Sequence, residues 1–448
     1  MKRFFTILLM IAGVNIFAYD IISIYNNDTT LVQSELKLNL KKGVHNYYWD
    51  NVPETIDATS IILKGKGFKV NLAKFENPSK SVYDILSNYI GKNIEISMKK
   101  NDKIAGVLTK VNIDNNSFMA ITSESDGTTT LISYADVVSY SLPKLSQNIP
   151  INPHMFFRIQ SKKSQHLANE IFYTCTGIQW SAFSQAIIDG KNTLELATFA
   201  KIDNRSGKSF ENAAIKLISG KVNRSYRQKN MKYNRSLKMA TVNNTDTVMA
   251  PQPNQEHSFE NYHIYKITDP VNLSNNQVQI IPIIKKEKVK FDQKLRYYTY
   301  NSAVNKIIIL KNNLKAGLGV SIPGGIVSFY KKDIDGKLIT IGEDRCHNLS
   351  INSKAEFKIG DDFDVEAKTT ILEDKIVGKK HIRDYQVKLI NGSDEKKEIT
   401  IYHNSGRNSK IWDNSVKYVK KDSNLYTFKI ILKPKKTTIL TWKQSNRY

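Results

Sequence analysis

The sequence predicts an all-β, multi-domain protein built of antiparallel, sandwich-like domains. Aromatic residues form 10% of the 448-residue chain and are chiefly Tyr and Phe, which pack well on pleated surfaces. Short apolar runs alternate with polar residues at a period of two, and turn-forming residues separate these runs, as expected for short strands. The length favours about two to four domains.

The N-terminus has the pattern of a secretory signal peptide over residues 1–18. Lys2 and Arg3 precede an apolar run, and Ala18 is a small residue at which a signal peptidase could cut. A transmembrane anchor is the competing interpretation, but Asn15 interrupts the run, which is shorter than the ~20 residues that a span needs. We therefore expect an exported protein of the periplasm, cell surface or medium that is not membrane-spanning after cleavage.

Residues 19–80 predict an N-terminal β domain. Leu36, Leu38 and Leu40 share one face of an alternating run, and Lys41-Lys42-Gly43 follows as a turn. Further short β-runs before residue 80 complete a small sandwich-like set of strands.

Residues 81–143 predict a separate module that begins with a short helix ending before Gly91. Five short β-runs follow, a pattern typical of a small SH3-like or Sm-like barrel inserted between larger domains. Some such barrels bind RNA, but this one lacks an RNA-contact motif and an exported protein meets little RNA. We expect a structural insert or protein-contact module, and no nucleic-acid partner. The helix is indicated by i, i+3, i+4, i+7 spacing of Val82, Ile85, Leu86 and Tyr89.

The rest of the chain predicts a linker and one larger β domain. Residues 144–170 begin with a proline-containing stretch that favours a linker, and residues 171–448 contain repeated β-runs. Within them, residues 221–260 are basic, rich in Asn and poor in large apolar residues, which predicts a long flexible loop. This loop is either a polyanion-binding arm or a disordered insertion.

The stretch from Pro323 to Val365 carries the densest group of ionisable side chains. Two β-runs, 326–330 and 338–341, flank Asp335-Gly336 and predict a hairpin. A polar loop is expected at 342–347. Further on, a strand over 363–368 would place its apolar residues on one face and three carboxylates on the other; these are Phe363, Val365 and Ala367 against Asp362, Asp364 and Glu366.

These side chains define the candidate site. Several carboxylates beside an imidazole are typical of a metal or general acid/base site, whose metal the sequence does not specify. The other interpretation is a solvated strand face, in which Arg345 and Lys368 pair with the acids. The candidate functional residues are Glu343, Asp344, Arg345, His347, Asp362 and Asp364.

The net charge of the chain indicates which kinds of partner it would attract. The formal net charge of +24 would attract acidic polymers, although an AT-rich genome produces the same Lys- and Asn-rich composition.

The chain has 2 cysteines, Cys175 and Cys346, which in an oxidising compartment either form a disulfide or stay as buried thiols.

Several short motifs in this sequence occur together as a set. They are Trp180 with Phe183, Asn204-Arg205-Ser206-Gly207, Ser219-Gly220, the stretch from Tyr262 to Leu273, and Gly342-Glu343-Asp344 followed by His347 and Phe363-Asp364-Val365. As a set they resemble the motifs of an exported bacterial family known as domain of unknown function 4139, some of whose members are labelled mucoidy-inhibitor-A-like. The resemblance covers residues 171–448, and more loosely 21–75, and implies a connection with surface polysaccharide. One departure is Cys346-His347-Asn348, where that family usually has an aliphatic residue followed by His-Thr.

Together these patterns favour a non-catalytic binding or scaffolding protein of the cell envelope or surface, without a cofactor. The expected partner is an acidic polysaccharide, an envelope component or a protein. The alternative is a metal-assisted hydrolase that uses the acidic cluster around residues 343–364.

Overall fold

The computed structural model describes residues 20–50, 52–77, 81–100, 102–113, 117–144, 152–220, 255–259 and 262–447. Strands account for 68% and helices for 3%, which confirms the predicted all-β fold. No helix in these ranges has the length and apolar content that crossing a membrane requires. The predicted signal peptide and most of the predicted loop 221–260 lie outside the described residues, but residues 255–259 form a strand.

The strands follow one another with few helical elements. The first are β1 (Asp20–Tyr25), β2 (Thr30–Leu40), β3 (Gly43–Asp50), β4 (Ile56–Lys64), β5 (Phe68–Glu76), then helix α1 (Val82–Ser87), β6 (Asn93–Met98), β7 (Lys103–Ile113), β8 (Phe118–Thr122), β9 (Thr129–Ser133) and β10 (Val137–Ser141). Next come β11 (His154–Ser161), β12 (Gln165–Cys175), β13 (Ile178–Ile188), β14 (Thr193–Asn204), β15 (Phe210–Ser219), β16 (Gln255–Phe259), β17 (Tyr262–Lys266), β18 (Val271–Leu273) and β19 (Gln277–Tyr298). The last are β20 (Val304–Lys311), β21 (Gly325–Lys332), β22 (Leu338–Cys346), β23 (Lys354–Asp361), β24 (Val365–Val377), β25 (Lys380–Asn391), β26 (Lys397–Asn404), β27 (Ser409–Trp412), β28 (Tyr418–Lys420), β29 (Leu425–Leu432) and β30 (Lys436–Arg447).

The first core lies in a sandwich of two sheets. One sheet has the order β16-β17-β15-β1-β2-β12-β4, with β18 also paired to β15, and the other has the order β3-β11-β5. Alternate residues of each strand point inward, so Ile22, Leu38 and Phe157 from three different strands meet in one buried cluster.

The domain boundaries expected from sequence assign strands of this one sandwich to different domains. β1 pairs in parallel with β15, with Ile21 opposite Ala214, so residues 19–80 share a sheet with the chain beyond residue 171. The expected linker 144–170 contains β11 and the start of β12, in which alternate residues are buried. Its last proline is Pro153, so residues 154–170 keep every backbone N–H that a sheet needs.

The module at 81–143 has its own core. α1 begins with a capping box between Ser81 and Asp84 and buries Leu86, as its spacing predicts. The predicted barrel, however, is not closed. The sheet order is β10-β6-β7-β8-β9, and the described edge strands β9 and β10 do not pair with each other. A three-residue 3₁₀ helix, Tyr134–Asp136, connects them. The two edge strands therefore come close at one end of the curved sheet, but no hydrogen bonds between them close it into a barrel.

β19 links three cores. It lies in a ten-stranded sheet of order β22-β21-β13-β14-β19-β26-β29-β28, in which β20 pairs with β19 and β23 pairs with β20. Its 22 residues span about 70 Å at the usual rise of a strand. Ile283 lies in the first core, Phe291 in the second and Leu295 in the third.

The third core packs this sheet against a four-stranded sheet of order β24-β25-β30-β27. Trp442 stacks between Tyr385 and Phe428, with ring centroids 5.1 and 4.9 Å away. His403 meets the same indole edge-on and is almost fully buried. Aromatic burial of this kind stabilises the C-terminal part of the fold.

The predicted hairpin is confirmed, but two neighbouring predictions are wrong. β21 and β22 pair antiparallel, and Gly336 has φ of +75° in their turn. The expected polar loop 342–347 is instead mostly strand, because β22 continues to Cys346. The expected alternation at 363–368 fails at its start: Phe363 is 98% exposed and Asp362 is buried. Asp362 forms a side-chain turn with the next amides, so β24 begins only at Val365.

Candidate functional site

Three of the predicted site residues face solvent. Glu343 and Arg345 lie on the outer face of β22, opposite Ser328 and Ile326 of β21. The Ser328 hydroxyl donates a hydrogen bond of 3.0 Å to Glu343 Oε2. His347 follows the end of the strand and is also exposed.

Asp344 points the other way and connects β22 to β23. Its Oδ2 accepts a hydrogen bond of 2.7 Å from the backbone N–H of Lys358, and its Oδ1 accepts one of 2.8 Å from that of Arg345. Gly342 lies so close to β23 that a Cβ there would be 2.0 Å from the carbonyl oxygen of Ile359. The Gly-Glu-Asp motif therefore allows β22 to pack closely against β23, and the Asp344 carboxylate accepts hydrogen bonds from backbone amides.

Asp362 and Asp364 form a separate ion-pair group with Lys397. Asp362 is buried and accepts hydrogen bonds of 3.1 Å from the backbone N–H groups of Asp364 and Val365. Lys397 Nζ lies 2.9 Å from Asp362 Oδ1 and 2.8 Å from Asp364 Oδ2, and Lys306 Nζ lies 3.7 Å from Asp362 Oδ2. The hydrogen bond from Lys397 lowers the pKa of Asp364. Burial acts to lower the pKa of Lys397, but hydrogen bonds to Asp364 and Asp362 outweigh it and raise that pKa.

The predicted acids therefore do not converge on one point. Asp344 contacts the amide of Lys358, and Asp362 lies four residues further on, about 13 Å away along a strand. Over the described ranges, no group of three or more His, Cys, Asp or Glu side chains is placed to hold a metal ion.

The two cysteines are free and buried in different cores. Cys175 lies in the first core and Cys346 in the second, and the structure has no disulfide between them. Burial raises the pKa of Cys175 to about 12 and that of Cys346 to about 11. Both are protonated thiols near neutral pH and act as small apolar side chains.

A basic surface, which we call the lysine–tyrosine face, covers the outer side of β19, β20 and β23. The ladders place Asp292, Ile309 and Glu356 in one row across the three strands, and Lys294, Ile307 and Lys358 in the next. The isoleucines are buried beneath the long charged side chains that flank them. The face consists of Lys290, Asp292, Lys294, Arg296 and Tyr298 of β19, Ile307, Ile309 and Lys311 of β20, Lys354, Glu356, Lys358 and Asp361 of β23, Tyr300, Lys315, and Tyr402 of β26.

Lysines also face each other directly on this surface. Lys311 lies opposite Lys354 in the ladder between β20 and β23. On β19, Lys290 lies one residue beyond the Phe291–Leu310 pair and therefore falls in the same row as Lys311 and Lys354. Like charges placed opposite each other across strands are destabilising. Asp292 and Glu356, which pair with Lys311 and Lys354, offset part of this repulsion, and a bound anion would offset more of it.

The carboxylates of the face neutralise only part of its charge. Asp292 pairs with Lys311 at 2.8 Å, and Glu356 pairs with Arg296 at 2.5 Å and with Lys354 at 3.0 Å. The hydrogen bond from Arg296 lowers the pKa of Glu356. In the part of the chain that the structure describes, Lys290, Lys294 and Lys315 form no ion pair, so their ammonium groups remain available.

A cleft of about 250 Å³ opens at the Lys290 end of the face. Its lining carries three ammonium groups, one amide and the Asp292 carboxylate, which pairs with Lys311, together with three apolar residues. This lining suits one acidic group attached to a less polar body. The lining residues are Lys290, Phe291, Asp292, Ile309, Lys311, Asn313, Lys315 and Ala316.

Tyrosines occupy the opposite end. The Arg296 guanidinium lies 4.9 Å from the ring centroid of Tyr402, and the Tyr298 ring centroid lies 5.2 Å from that of Tyr402 and 5.4 Å from that of Tyr300. Tyr300 is 71% exposed. From Lys290 to Tyr298 the face extends about 27 Å, which suits an elongated anionic ligand better than a point-like one.

The sequence analysis did not identify this face, because it placed only repeated short β-runs in residues 171–448 and did not recognise β19 as one long strand. The signal was present in the alternation of buried Val289, Phe291 and Leu295 with exposed Lys290 and Lys294. The partner lysines on β20 and β23 could not have been assigned, because strand pairing depends on contacts distant in sequence.

Comparison of the chain with protein-family models and with curated proteins finds no match.

Proposed function

We propose that this protein is an exported, non-catalytic binding protein of the cell envelope or surface, and that it binds an acidic polysaccharide through the lysine–tyrosine face. The N-terminal signal pattern and the resemblance to the exported bacterial family support export. The observation that carries the proposal is the row of Lys290, Lys311 and Lys354, beside cations that have no acidic partner among the described residues.

The chemistry of the face favours an acidic sugar polymer. Exposed ammonium groups attract carboxylate, sulfate or phosphate groups over a range set by the ionic strength. Tyr298, Tyr300 and Tyr402 add flat rings that can cover the apolar face of a sugar. The predicted acids instead bind backbone amides and lysines, as Asp344 and Asp362 do, so the geometry supports binding rather than hydrolysis.

The direct test is calorimetric titration of the mature protein with polygalacturonate, a polymer of carboxylated sugars, at low and high salt. Saturable binding that weakens with salt is expected. A triple variant, Lys290→Glu, Lys294→Glu and Lys315→Glu, should bind about tenfold or more weakly, because each reversed charge removes an attraction and adds a repulsion.

A matched variant separates the face from net charge. Lys92→Glu, Lys331→Glu and Lys410→Glu change three other exposed lysines by the same total charge. This control should bind within about threefold of the wild type. Equal weakening of both variants would show that binding depends only on net charge. Absence of binding by the wild type would contradict the proposal outright.

A further inference from the structure

The outer face of the three-stranded sheet β3-β11-β5 presents aromatic rings to solvent. Its ladders place Tyr48 opposite Phe156, and their ring centroids lie 5.2 Å apart with an interplanar angle of 58°. Tyr48 lies on the edge strand β3 and is 55% exposed, and the other face of this sheet fills the first core. Neighbouring Val44 and Leu72 are 54% and 44% exposed.

Polar side chains with unused hydrogen-bonding capacity surround these rings. Arg158 lies between Asn46 of β3 and Leu72 of β5, and Gln160 lies opposite Val44. Within the described residues, the side chains of Asn46, Arg158 and Gln160 form no hydrogen bond or ion pair with one another or with other groups. A surface that combines adjacent exposed rings with free amide and guanidinium donors matches a ligand with flat apolar faces and many hydroxyl groups.

The charged side chains of this face indicate which kind of ligand it would bind. At one end Glu76 lies 2.5 Å from Lys74 and 2.9 Å from His154, and Asp50 is exposed opposite His154. At the other end Lys69 is exposed opposite Gln160. Between these ends, Arg158 has no acidic partner among the described residues and is a free cation at the centre of the strip. A guanidinium is the side chain best suited to bind a carboxylate through two parallel hydrogen bonds.

The size of the face argues against a protein partner. β11 has 8 residues and is therefore about 26 Å long, and three strands are about 10 Å across, so the strip covers roughly 260 Å². A stable protein–protein interface needs about 800 Å² per partner. A long, narrow strip with exposed rings on neighbouring strands instead fits a linear chain of sugars.

We propose that this strip is a second saccharide-binding site, which stacks the rings of an acidic oligosaccharide on Tyr48 and Phe156 and pairs one of its carboxylates with Arg158. The site lies on a different sheet from the lysine–tyrosine face and works independently of it. Two sites on one chain would also raise the avidity for a long polymer beyond that of either site alone.

The test uses a short ligand and removes the contribution of the first face. Hexagalacturonate is titrated into the Lys290→Glu, Lys294→Glu, Lys315→Glu protein, and binding is expected to persist. Adding Tyr48→Ala and Phe156→Ala should weaken it at least tenfold, whereas Tyr48→Phe should stay within about twofold, because the ring is retained. Equal melting temperatures would exclude a folding defect.

The ligand's charge is tested with a neutral hexasaccharide. Arg158→Gln should weaken hexagalacturonate binding at least fivefold and leave binding of the neutral sugar unchanged. The proposal is overturned if hexagalacturonate does not bind in the lysine-variant background, or if removing both rings leaves its affinity unchanged. Failure of the lysine–tyrosine face would be recognised separately, since its lysine variant would then bind polygalacturonate as well as the wild type does.

Discussion

Replacement of Asp362 by Ala tests whether the acidic residues near 362 stabilise the fold or bind a ligand. The Asp362 side chain is 3% exposed, accepts hydrogen bonds from two backbone N–H groups, and lies within ion-pair distance of Lys397 and Lys306. Each hydrogen bond to a buried charged acceptor contributes about 1.5–3 kcal/mol, and breaking a buried ion pair costs about 3–5 kcal/mol. Because these contributions overlap, we expect Asp362→Ala to lower the free energy of unfolding by about 3–5 kcal/mol.

Asp364→Ala provides the matched control. Asp364 shares Lys397 with Asp362, but its side chain is 58% exposed and water screens the pair. Its loss should leave the unfolding midpoint unchanged within error. Asp362→Asn should fall between the two, because the amide oxygen still accepts hydrogen bonds from the backbone but no longer compensates the charge of Lys397.

The assay is equilibrium unfolding in urea followed by tryptophan fluorescence, with and without Ca²⁺ or Zn²⁺. The reasoning is refuted if Asp362→Ala costs less than about 1 kcal/mol, or if Asp364→Ala destabilises the protein as much. A metal site that used both carboxylates would give a different result, since either substitution would then abolish a metal-dependent stabilisation of the wild type.

Two further predictions concern the second and third cores. Gly342→Ala should destabilise the protein by about 3 kcal/mol or more in the same urea assay, because its Cβ would lie 2.0 Å from a backbone oxygen. Gly336→Ala, in an open turn, should cost only about 1 kcal/mol. Similar losses of stability for the two variants would contradict the close contact between Gly342 and β23. Burial lowers the pKa of His403, so the stabilisation from its neutral ring is complete above its unfolded pKa of about 6.5 and is lost as the pH falls through the lower folded value. The melting temperature should therefore fall between pH 7.5 and pH 5, and a His403→Gln variant that kept the same pH dependence would refute this assignment.

Local features of the fold were predictable from sequence. The Asp335-Gly336 turn required a positive φ, and the observed φ of Gly336 is +75°. The spacing around Leu86 predicted α1, which buries Leu86 in the core of its module. These features depend on residues close together in the chain, so composition and periodicity determine them.

Long-range pairing and the direction of particular side chains were not predictable. Asp344 and Glu343 are adjacent in β22, yet one reaches the amide of Lys358 and the other faces solvent, and only the position of β23 decides which acid is structural. Phe363 suits a buried position by type but is exposed, because the turn formed by Asp362 delays the start of β24. The lysine–tyrosine face likewise depends on three strands whose order no local pattern specifies.

The parallel pairing of β1 with β15 determines when the first sandwich can fold. β1 supplies Ile22 and Ile24 to the first core, but one of its two neighbouring strands begins only at Phe210. As the chain emerges from a ribosome, N-terminus first, β1 cannot pair with this second neighbour until nearly half of the sequence has been made. Contacts so distant in sequence form slowly, so β1 pairs with its sequence neighbour β2 well before its other side is covered by β15.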